Sequence, residues 1–550
     1  MCRQTMKGGR GSTPRQRRAP ARRVIAGLLV AGVVLATAGT VGVNRAGAVT
    51  ASYVPVSGAG STWSENALDQ WIRDVQQYGM RINYAGTGST DGRQEFLNGT
   101  VDFAASDIPF QTHPDDGSAP ENPVPGSFAY MPITAGGTVF MYNLTIDGQQ
   151  VTNLRLSGEN IAKIFTGVIT NWDDPAIAAD NPGLDLPDRQ IVPVVRSDGS
   201  GSSFFFTQWM SSQYPSIWNA YCNASGRAPA CGPTSFYPTI PGMIAQSGDL
   251  GVSGYVAQNY ADGAIGYTQY SYALNAHFPV AQMLNAAGYY TEPTPQNVAV
   301  SLLAAQIDTT DTDPSLYLTQ KLQNVWIDPD PRTYPLSSYS YLILPVTLQG
   351  QFTDAKGATL AAFSYYAMCQ GQQESASLGY SPMPINLVEA SFTQIAKIPG
   401  AVVQNINIQS CNNPTFSPSG VNLLAQTAPY PPACDHQGPT QCTTGTGGAA
   451  DVPTAVSAAV SRTTGGASSA AANAPAASAS GSSAAATCAG ECTTTIPDPG
   501  TDPGDTPVTL AADTGWGSDQ TIMVLALFAL LAVVLVPGLV AYRIRRRRLP

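Results

Sequence analysis

The chain predicts an α/β fold with mainly parallel sheets, because strand and helix signals alternate along its globular part. The first helix signal is SENALDQWIRDVQQYG, residues 64–79. Its apolar residues follow the i, i+3, i+4, i+7 spacing of an amphipathic helix, at Leu68, Trp71, Ile72 and Val75. The segment RINYAG, residues 81–86, follows as a strand.

The same alternation recurs further along the chain. After a turn-rich loop at 86–92, the sequence predicts a short helix at 93–100 and a strand at 101–106. A later unit consists of a strand, a loop and a helix, in the segments QIVPVVR (190–196), SDGSGS (197–202) and SFFFTQWMSS (203–212). In such folds, ligands bind beyond the carboxyl ends of the strands, near helix N-termini.

The N-terminal residues have the pattern of a secretory signal. An Arg-rich start precedes an apolar run at 24–43, and the small residues Ala46-Gly47-Ala48 follow it. This order predicts a signal peptide over residues 1–48. An uncleaved N-terminal membrane helix is the alternative, because the apolar run is long enough to form one.

The C-terminal end has a second apolar run, Ile522 to Tyr542, which is 21 residues long and carries no charge. It predicts a transmembrane helix over 521–542, and the arginines after it predict a cytoplasmic basic tail over 543–550. We therefore expect a single-pass protein of the cell membrane with its binding domain outside. Sortase attachment is the alternative, since AADTG at 511–515 resembles a sorting signal without the usual leading Leu.

Composition divides the exported part into two regions. Residues 49–412 carry mixed apolar patterning and are predicted to be globular. Residues 413–520 are rich in Ala, Ser, Thr, Gly and Pro, and such a segment cannot bury enough apolar surface to offset its ordering entropy. The sequence therefore predicts a low-complexity stalk over 413–520.

The charge balance argues against a nucleic-acid partner. The two ends contain 14 of the 27 basic residues, which leaves 13 basic against 37 acidic residues, a net charge of −24. Such an acidic ectodomain neither binds nucleic acid nor attracts anions in general. Any anion site must be made locally.

The cysteines agree with export, because eight of the nine follow the predicted signal peptide. An even number outside the cell predicts disulfides. Proximity in sequence favours three pairs and leaves a fourth by elimination: Cys222 with Cys231, Cys434 with Cys442, Cys488 with Cys492, and Cys369 with Cys411. A zinc site is the alternative, but the spacing fits no zinc finger and the chain has only three histidines.

The loop after Arg196 has the chemistry of an oxyanion site. Small residues lead from the predicted strand into a helix, whose first amides lack internal partners and carry partial positive charge. The serine hydroxyls add hydrogen-bond donors, and the planar guanidinium of Arg196 can donate two parallel hydrogen bonds to one anion. Together they suit a tetrahedral anion, although an ordinary capped turn is the alternative for this loop alone.

Three further loops offer polar groups at equivalent places. Ser61 and Thr62 precede the first helix, Ser89 follows a strand, and Asp107 follows the next strand. Serine and threonine before helices are mostly plain caps, so each loop is a weak signal by itself. Their combination predicts one shared ligand site.

The sequence resembles the periplasmic phosphate-binding proteins of ABC transporters. The residues that carry the resemblance span most of 49–280 and are GAGSTW (58–63), YAGTGSTDG (84–92), NGTVDFAASDIPF (98–110), IFTGVITNWDDPAI (164–177), VVRSDGSGSSFFFTQW (194–209) and GAIGYTQYSYA (263–273). The resemblance implies two lobes joined by a hinge, with lobe 1 at about 49–130 and 275–412 and lobe 2 at about 131–274.

The resemblance also implies the ligand residues. The expected phosphate-binding set comprises Thr62, Trp63, Ser89, Asp107, Arg196, Ser200, Gly201 and Ser202, with Asp198 positioning the arginine. Trp63 stands where the family usually has Phe, and Ser202 where it often has Thr. Asp107 would accept a hydrogen bond from a proton of phosphate. Sulfate carries no such proton near neutral pH.

The expected function is therefore capture of inorganic phosphate and its delivery to the permease of an ABC transporter, with no cofactor. A phosphate sensor or surface adhesin on the same fold is the alternative. An enzyme is not expected, because none of the histidines, His113, His277 and His436, lies in a convincing catalytic motif.

Overall fold

The computed structural model describes residues 53–309, 316–452 and 454. The predicted signal peptide, transmembrane helix, basic tail and AADTG motif, and the pair Cys488 and Cys492, lie outside these residues. Within the described ranges, no helix combines the length and the apolar character that crossing a membrane requires.

Helices and strands alternate along the described chain. The helices are α1 (Glu65–Val75), α2 (Ser89–Leu97), α3 (Gly158–Phe165), α4 (Pro175–Asp180), α5 (Gly201–Gln213), α6 (Pro215–Ala224), α7 (Gly248–Val256), α8 (Tyr270–Ala276), α9 (Pro295–Ser301), α10 (Gln323–Trp326), α11 (Asp354–Met368), α12 (Gln370–Glu374), α13 (Ile385–Ile395) and α14 (Leu423–Gln426). The strands are β1 (Val56–Gly60), β2 (Ile82–Ala85), β3 (Phe103–Ser106), β4 (Phe128–Tyr142), β5 (Thr145–Ile146), β6 (Gln149–Gln150), β7 (Arg155–Leu156), β8 (Val192–Arg196), β9 (Ile244–Gln246), β10 (Ala264–Gln269), β11 (Val280–Leu284), β12 (Tyr290–Thr291), β13 (Gln306–Ile307), β14 (Gln320–Lys321) and β15 (Ser337–Pro345).

The predicted strand–loop–helix units are confirmed at α1, β2, β3, β8 and α5. The boundaries of these elements differ from the predicted ones by up to four residues. Helix α2 begins at Ser89, inside the predicted loop, because Gly88 adopts a φ of 99° and turns the chain directly into the helix.

The main sheet is mixed rather than mainly parallel, so that part of the prediction was wrong. Its strand order is β2-β1-β3-β15-β4-β10-β8-β9. Strands β1, β2 and β3 are parallel, as are β8, β9 and β10. Strand β15 is antiparallel to both β3 and β4, and β10 is antiparallel to β4. The long strands β15 and β4 lie in the middle of the sheet and separate the two groups of parallel strands.

Strand β4 joins two hydrophobic cores. Its first part pairs with β15 and its second part with β10, and all of its residues are buried. One core packs around side chains such as Trp71, Phe103 and Tyr341. The other packs around side chains such as Phe206 and Tyr267. The fold is therefore the two-lobed α/β arrangement that was expected.

The predicted limits of the lobes need a correction. Residues 275–336 were assigned to lobe 1, but β11 pairs with the second part of β4 and buries Val280 and Met283 in the core of lobe 2. Leu322 and Trp326 also pack in that core, whereas Val298 packs in lobe 1. The chain returns fully to lobe 1 only where β15 begins.

The stalk does not begin at 413. Residues 413–452 and 454, which we call the C-terminal strap, pack against both lobes. In lobe 1, Asn413 donates to the carbonyl of Met383 over 3.0 Å. In lobe 2, buried Arg155 donates to the carbonyls of Cys434 and Thr440 over 2.8 and 3.0 Å. The prediction was wrong here because the strap is held largely by hydrogen bonds to its backbone, which an apolar pattern does not reveal.

Three of the predicted disulfides are confirmed. Cα–Cα distances are 5.6 Å for Cys222–Cys231, 4.5 Å for Cys369–Cys411 and 5.0 Å for Cys434–Cys442. Among the described residues, no His, Cys, Asp and Glu cluster could hold a metal ion. The six cysteines in these ranges form the three disulfides and are therefore not free to bind zinc.

Removal of the strap is expected to destabilise the protein. A chain ending at residue 412 would lose the carbonyl partners of Arg155 and would uncover the face of α9, where Ala299 and Val300 pack against Ala425. We expect a loss of about 2–4 kcal/mol, because the buried guanidinium loses two hydrogen bonds, keeping the one to the Asp180 carbonyl, and apolar surface is exposed. Chemical denaturation of chains ending at 412 and at 454 would measure the difference, and equal midpoints would contradict it.

Candidate functional site

Three hydroxyl groups surround the carboxylate of Asp107, which directly follows β3 and is 3% exposed. Oδ1 accepts from the hydroxyls of Ser61 and Ser340 over 2.7 and 2.8 Å. Oδ2 accepts from the hydroxyl of Ser89 over 3.1 Å. These groups meet because β1 and β3 are parallel neighbours whose carboxyl ends lie at the same edge.

Asp107 keeps acceptor capacity on one side. A carboxylate offers about four lone-pair directions, and the three serines occupy three of them. The start of α5 lies against Oδ2, since a Cβ atom on Gly201 would be only 2.5 Å from that oxygen. Burial raises the pKa of the Asp107 carboxyl, against the lowering effect of the hydrogen bonds from Ser61 and Ser340.

Arg196 ends β8 and is 2% exposed. Its Nε donates to Asp198 Oδ1 over 2.8 Å and its Nη1 donates to Asp249 Oδ2 over 2.6 Å. Its Nη2 donates to Thr62 Oγ1 over 2.8 Å and also to Asp198. Burial alone would lower the pKa of the guanidinium, but Asp249 and Asp198 raise it above its ordinary value. The arginine is therefore a permanent, rigidly held cation.

The start of α5 supplies polar groups beside Asp107. Ser200 caps the helix, because its hydroxyl accepts from the amides of Ser202 and Ser203 over 3.1 and 3.4 Å. The hydroxyl of Ser202 is buried and has no hydrogen-bond partner within the described part of the chain. That hydroxyl is therefore able to bond to a ligand in the cleft.

Contacts between the lobes surround these groups. The Thr90 amide of lobe 1 donates to the Gly199 carbonyl of lobe 2 over 3.0 Å. The Tyr272 hydroxyl of lobe 2 donates to the Thr62 carbonyl over 2.6 Å. Lobe 1 contributes Asp107 and its serines, and lobe 2 contributes Arg196 and the α5 loop. The predicted polar residues thus meet in one closed cleft.

Comparisons with known proteins identify the family of this chain. Residues 36–370 match the family model of the PBP superfamily domain. The phosphate-binding protein PstS of Xylella fastidiosa strain Temecula1 is 32% identical over 339 residues, which cover 61% of this chain and 83% of that protein. The chain belongs to the PstS family of phosphate-binding proteins.

One further relative and one solved structure are similar to this chain. Phosphate-binding protein PstS 2 of Mycobacterium tuberculosis is 30% identical over 375 residues, covering 65% of this chain and 93% of that protein. The crystal structure of a phosphate-binding protein from Stenotrophomonas maltophilia is 19% identical, with a TM-score of 0.46, over 67% of this chain and 99% of that one.

In this PstS-family chain, the ring of Trp63 does not line the cleft beside Arg196. It is buried in lobe 1, where its edge packs against Tyr380 with ring centroids 5.9 Å apart. Its Nε1 donates to Thr138 Oγ1 over 3.2 Å. Only the backbone of Trp63 is therefore available to the site.

Sequence reasoning missed two buried residues of the site, Ser340 and Asp249. Ser340 lies in β15 at an irregularity in the pairing with β4, and no loop signal marks it. Asp249 stands at the start of α7 in SGDLGVSGYV, where small residues precede a helix as they do after Arg196. That pattern is a signal that could have identified Asp249.

Proposed function

We propose that this protein captures inorganic phosphate outside the cytoplasm and delivers it to the permease of an ABC transporter. The observation that carries the proposal is that one buried cleft contains both a positive charge and a hydrogen-bond acceptor. Arg196 supplies a fixed positive charge from lobe 2, and Asp107 supplies a hydrogen-bond acceptor from lobe 1. Phosphate satisfies both, because it is an anion that also carries a proton.

The ligand residues are proposed on the same grounds. Ser200, which caps α5, and the α5 residues Gly201 and Ser202 lie beside Asp107 and Arg196, so the two serine hydroxyls and the Gly201 amide can donate to phosphate oxygens. The hydroxyl of Ser89 donates to Asp107, so Ser89 can offer its backbone amide at the start of α2. Asp198 accepts from Nε and Nη2 along one edge of the guanidinium and fixes its direction. Its own pKa is lowered: burial would raise it, but the bonds from Arg196 outweigh burial. Asp198 is therefore a positioning residue.

Delivery to a transporter is tested by phosphate uptake. Cells in which this chain is deleted should lose high-affinity phosphate uptake and should regain it when the intact chain is restored. Restoration with an Arg196→Ala variant should fail. Normal uptake after deletion, with an altered response to phosphate starvation, would favour the sensor on the same fold, and loss of surface attachment alone would favour the adhesin.

The proposed location is the cell membrane, with the C-terminal segment 521–542 as the anchor and residues after the strap as the stalk. The apolar run followed by arginines supports this proposal. A tether keeps the binding domain concentrated near its permease. The protein should remain with washed membranes after digestion with a cell-wall hydrolase; its release by that treatment alone would favour sortase attachment.

A further inference from the structure

Two surface loops face each other across the lobes, outside the set of residues proposed to bind phosphate. In lobe 1, residues 111–121 lie between β3 and β4. In lobe 2, residues 222–236 run from the end of α6 toward β9, and the disulfide Cys222–Cys231 closes their first part. Their contacts form a junction between the lobes that is separate from the ligand residues.

Each loop is fixed to its own lobe. In lobe 1, buried Glu121 closes the base of the loop, because its carboxylate accepts from Arg93 Nε over 2.8 Å and from the Gln111 amide over 2.7 Å. In lobe 2, the Cys231 carbonyl accepts over 2.8 Å from Nε1 of Trp218, a core residue of that lobe. Opening of the cleft would therefore carry the two loops apart with their lobes.

Five residues join the loops where they meet. The hydroxyl of Thr234, which is 1% exposed, donates to Asp116 Oδ2 over 2.6 Å. Arg227 donates to the Asp116 carbonyl over 3.2 Å, and its guanidinium is 3.8 Å from the Asp116 carboxylate. The Gly232 amide donates to the Asp115 carbonyl over 3.2 Å. We call these five residues the clasp.

The Asp116 carboxylate is the central acceptor of the clasp. Its Oδ1 accepts from the Ser118 amide over 2.9 Å, and its Oδ2 accepts from Thr234. Burial alone would raise the pKa of Asp116, but the hydrogen bonds from Thr234 and Ser118 lower it below its ordinary value. The bond from Thr234 is therefore made to a charged acceptor, and such a bond is stronger than one between neutral groups.

The clasp is connected to the phosphate cleft through the backbone of one residue. Ser235 directly follows Thr234, and its carbonyl accepts from the Ser200 amide over 2.9 Å. Ser200 caps α5, whose first residue lies against Asp107. The segment that makes the clasp thus also supports the start of α5 in the cleft.

The clasp contacts require closed lobes, because each of them joins a residue of lobe 1 to a residue of lobe 2. A contact made in only one of two conformations stabilises that conformation. We propose that the clasp holds the cleft shut over its ligand and sets the rate at which phosphate leaves. Phosphate enters the open form, in which the clasp is not made, so the association rate should not depend on it. This inference rests on the proposed function, because phosphate is the ligand whose release is measured.

The first test is the release of radiolabelled inorganic phosphate from the full-length protein after unlabelled phosphate is added in excess. Asp116→Ala removes the acceptor of Thr234 and the partner of Arg227, and should raise the dissociation rate constant about five- to fiftyfold. The Kd, measured by equilibrium dialysis, should rise by the same factor, so that the association rate constant keeps its wild-type value. A wild-type dissociation rate in this variant would overturn the proposal.

Asp74→Ala is the matched control. Asp74 is also a partly buried carboxylate of lobe 1, but its partners Gln70 and Tyr366 belong to the same lobe. This variant should release phosphate at the wild-type rate even if its stability falls. Equal acceleration in both variants would assign the effect to general destabilisation, and the clasp would then have no role in release.

A second variant tests closure without removing a polar group. A Cβ atom added at Gly232 would overlap the side chain of Asp115 and lie 2.6 Å from its carbonyl oxygen. These atoms belong to the other lobe, so Gly232→Ala should fold normally and resist closure alone. Its affinity for phosphate should fall about tenfold or more.

Gly254→Ala is the control for this variant, because a Cβ atom added there meets no atom of the described residues within 4 Å. It should keep the wild-type Kd. A wild-type Kd in Gly232→Ala as well would reject the clasp while leaving phosphate capture intact. A wild-type protein that binds no phosphate would instead reject the proposed function itself.

Discussion

Replacing Arg196 with alanine is expected to weaken phosphate binding by about 2–4 kcal/mol, roughly thirty- to a thousandfold in Kd. The variant removes the cation that pairs with Asp198 and Asp249. It also leaves Asp198 and Asp249 facing each other without the guanidinium between them. Any residual sulfate binding should weaken to a similar degree, because Arg196 attracts every tetrahedral anion.

The measurement is calorimetry of the full-length protein with phosphate and with sulfate. Arg155→Ala is the matched control, because Arg155 is equally buried in lobe 2 but contacts the C-terminal strap rather than the cleft. It should lower stability and leave the phosphate Kd near the wild-type value. An Arg196→Ala protein that folds and binds phosphate normally would show that the cleft is not the phosphate site.

Much of the site could be predicted because its loops follow strand ends. The carboxyl ends of β1, β3 and β8 carry Ser61, Asp107 and Arg196, and strand–loop–helix order is readable from local patterns. The structure brings these loops together across a single cleft. The role of the loops toward phosphate came from family resemblance, since small residues before a helix fit an ordinary cap equally well.

What could not be predicted depends on distant pairing. Ser340 reaches Asp107 from a strand 233 residues later in the chain, and Asp249 reaches Thr62 across 187 residues. The mixed sheet has the same origin, because β15 enters between β3 and β4 after a long excursion. Local hydrophobic periodicity cannot show which strands become neighbours.

The C-terminal strap was missed for a different physical reason. Composition predicted a stalk from 413 because the segment has little apolar surface to bury. The strap folds instead on donors supplied by the lobes, such as Arg155 and Asn153, which bind its backbone carbonyls. The disulfide Cys369–Cys411 also ties the chain to lobe 1 just before the strap, and Cys434–Cys442 closes a loop within it. Backbone recognition of this kind leaves almost no trace in side-chain composition.

Replacing Asp107 with asparagine is expected to reduce the preference for phosphate over sulfate more than any other single change. A buried acceptor facing an unprotonated anion leaves two acceptors unpaired, and rejection built on such groups can reach about 10⁴-fold. The amide of asparagine can donate instead. Phosphate should therefore weaken modestly, by about tenfold for one charge-assisted hydrogen bond. Sulfate should bind more tightly than it does to the wild-type protein.

Arsenate separates protonation from size in this prediction. It carries the same protons as phosphate near neutral pH, so its affinity should fall in parallel with that of phosphate while sulfate gains. Asp102→Asn is the matched control. Asp102 is a buried carboxylate that directly precedes β3, whereas Asp107 follows it, and it accepts hydrogen bonds from Ser57 and Lys356. It should leave all three anion affinities in their wild-type order. An Asp107→Asn protein with the wild-type ratio of phosphate Kd to sulfate Kd would show that Asp107 does not accept the phosphate proton.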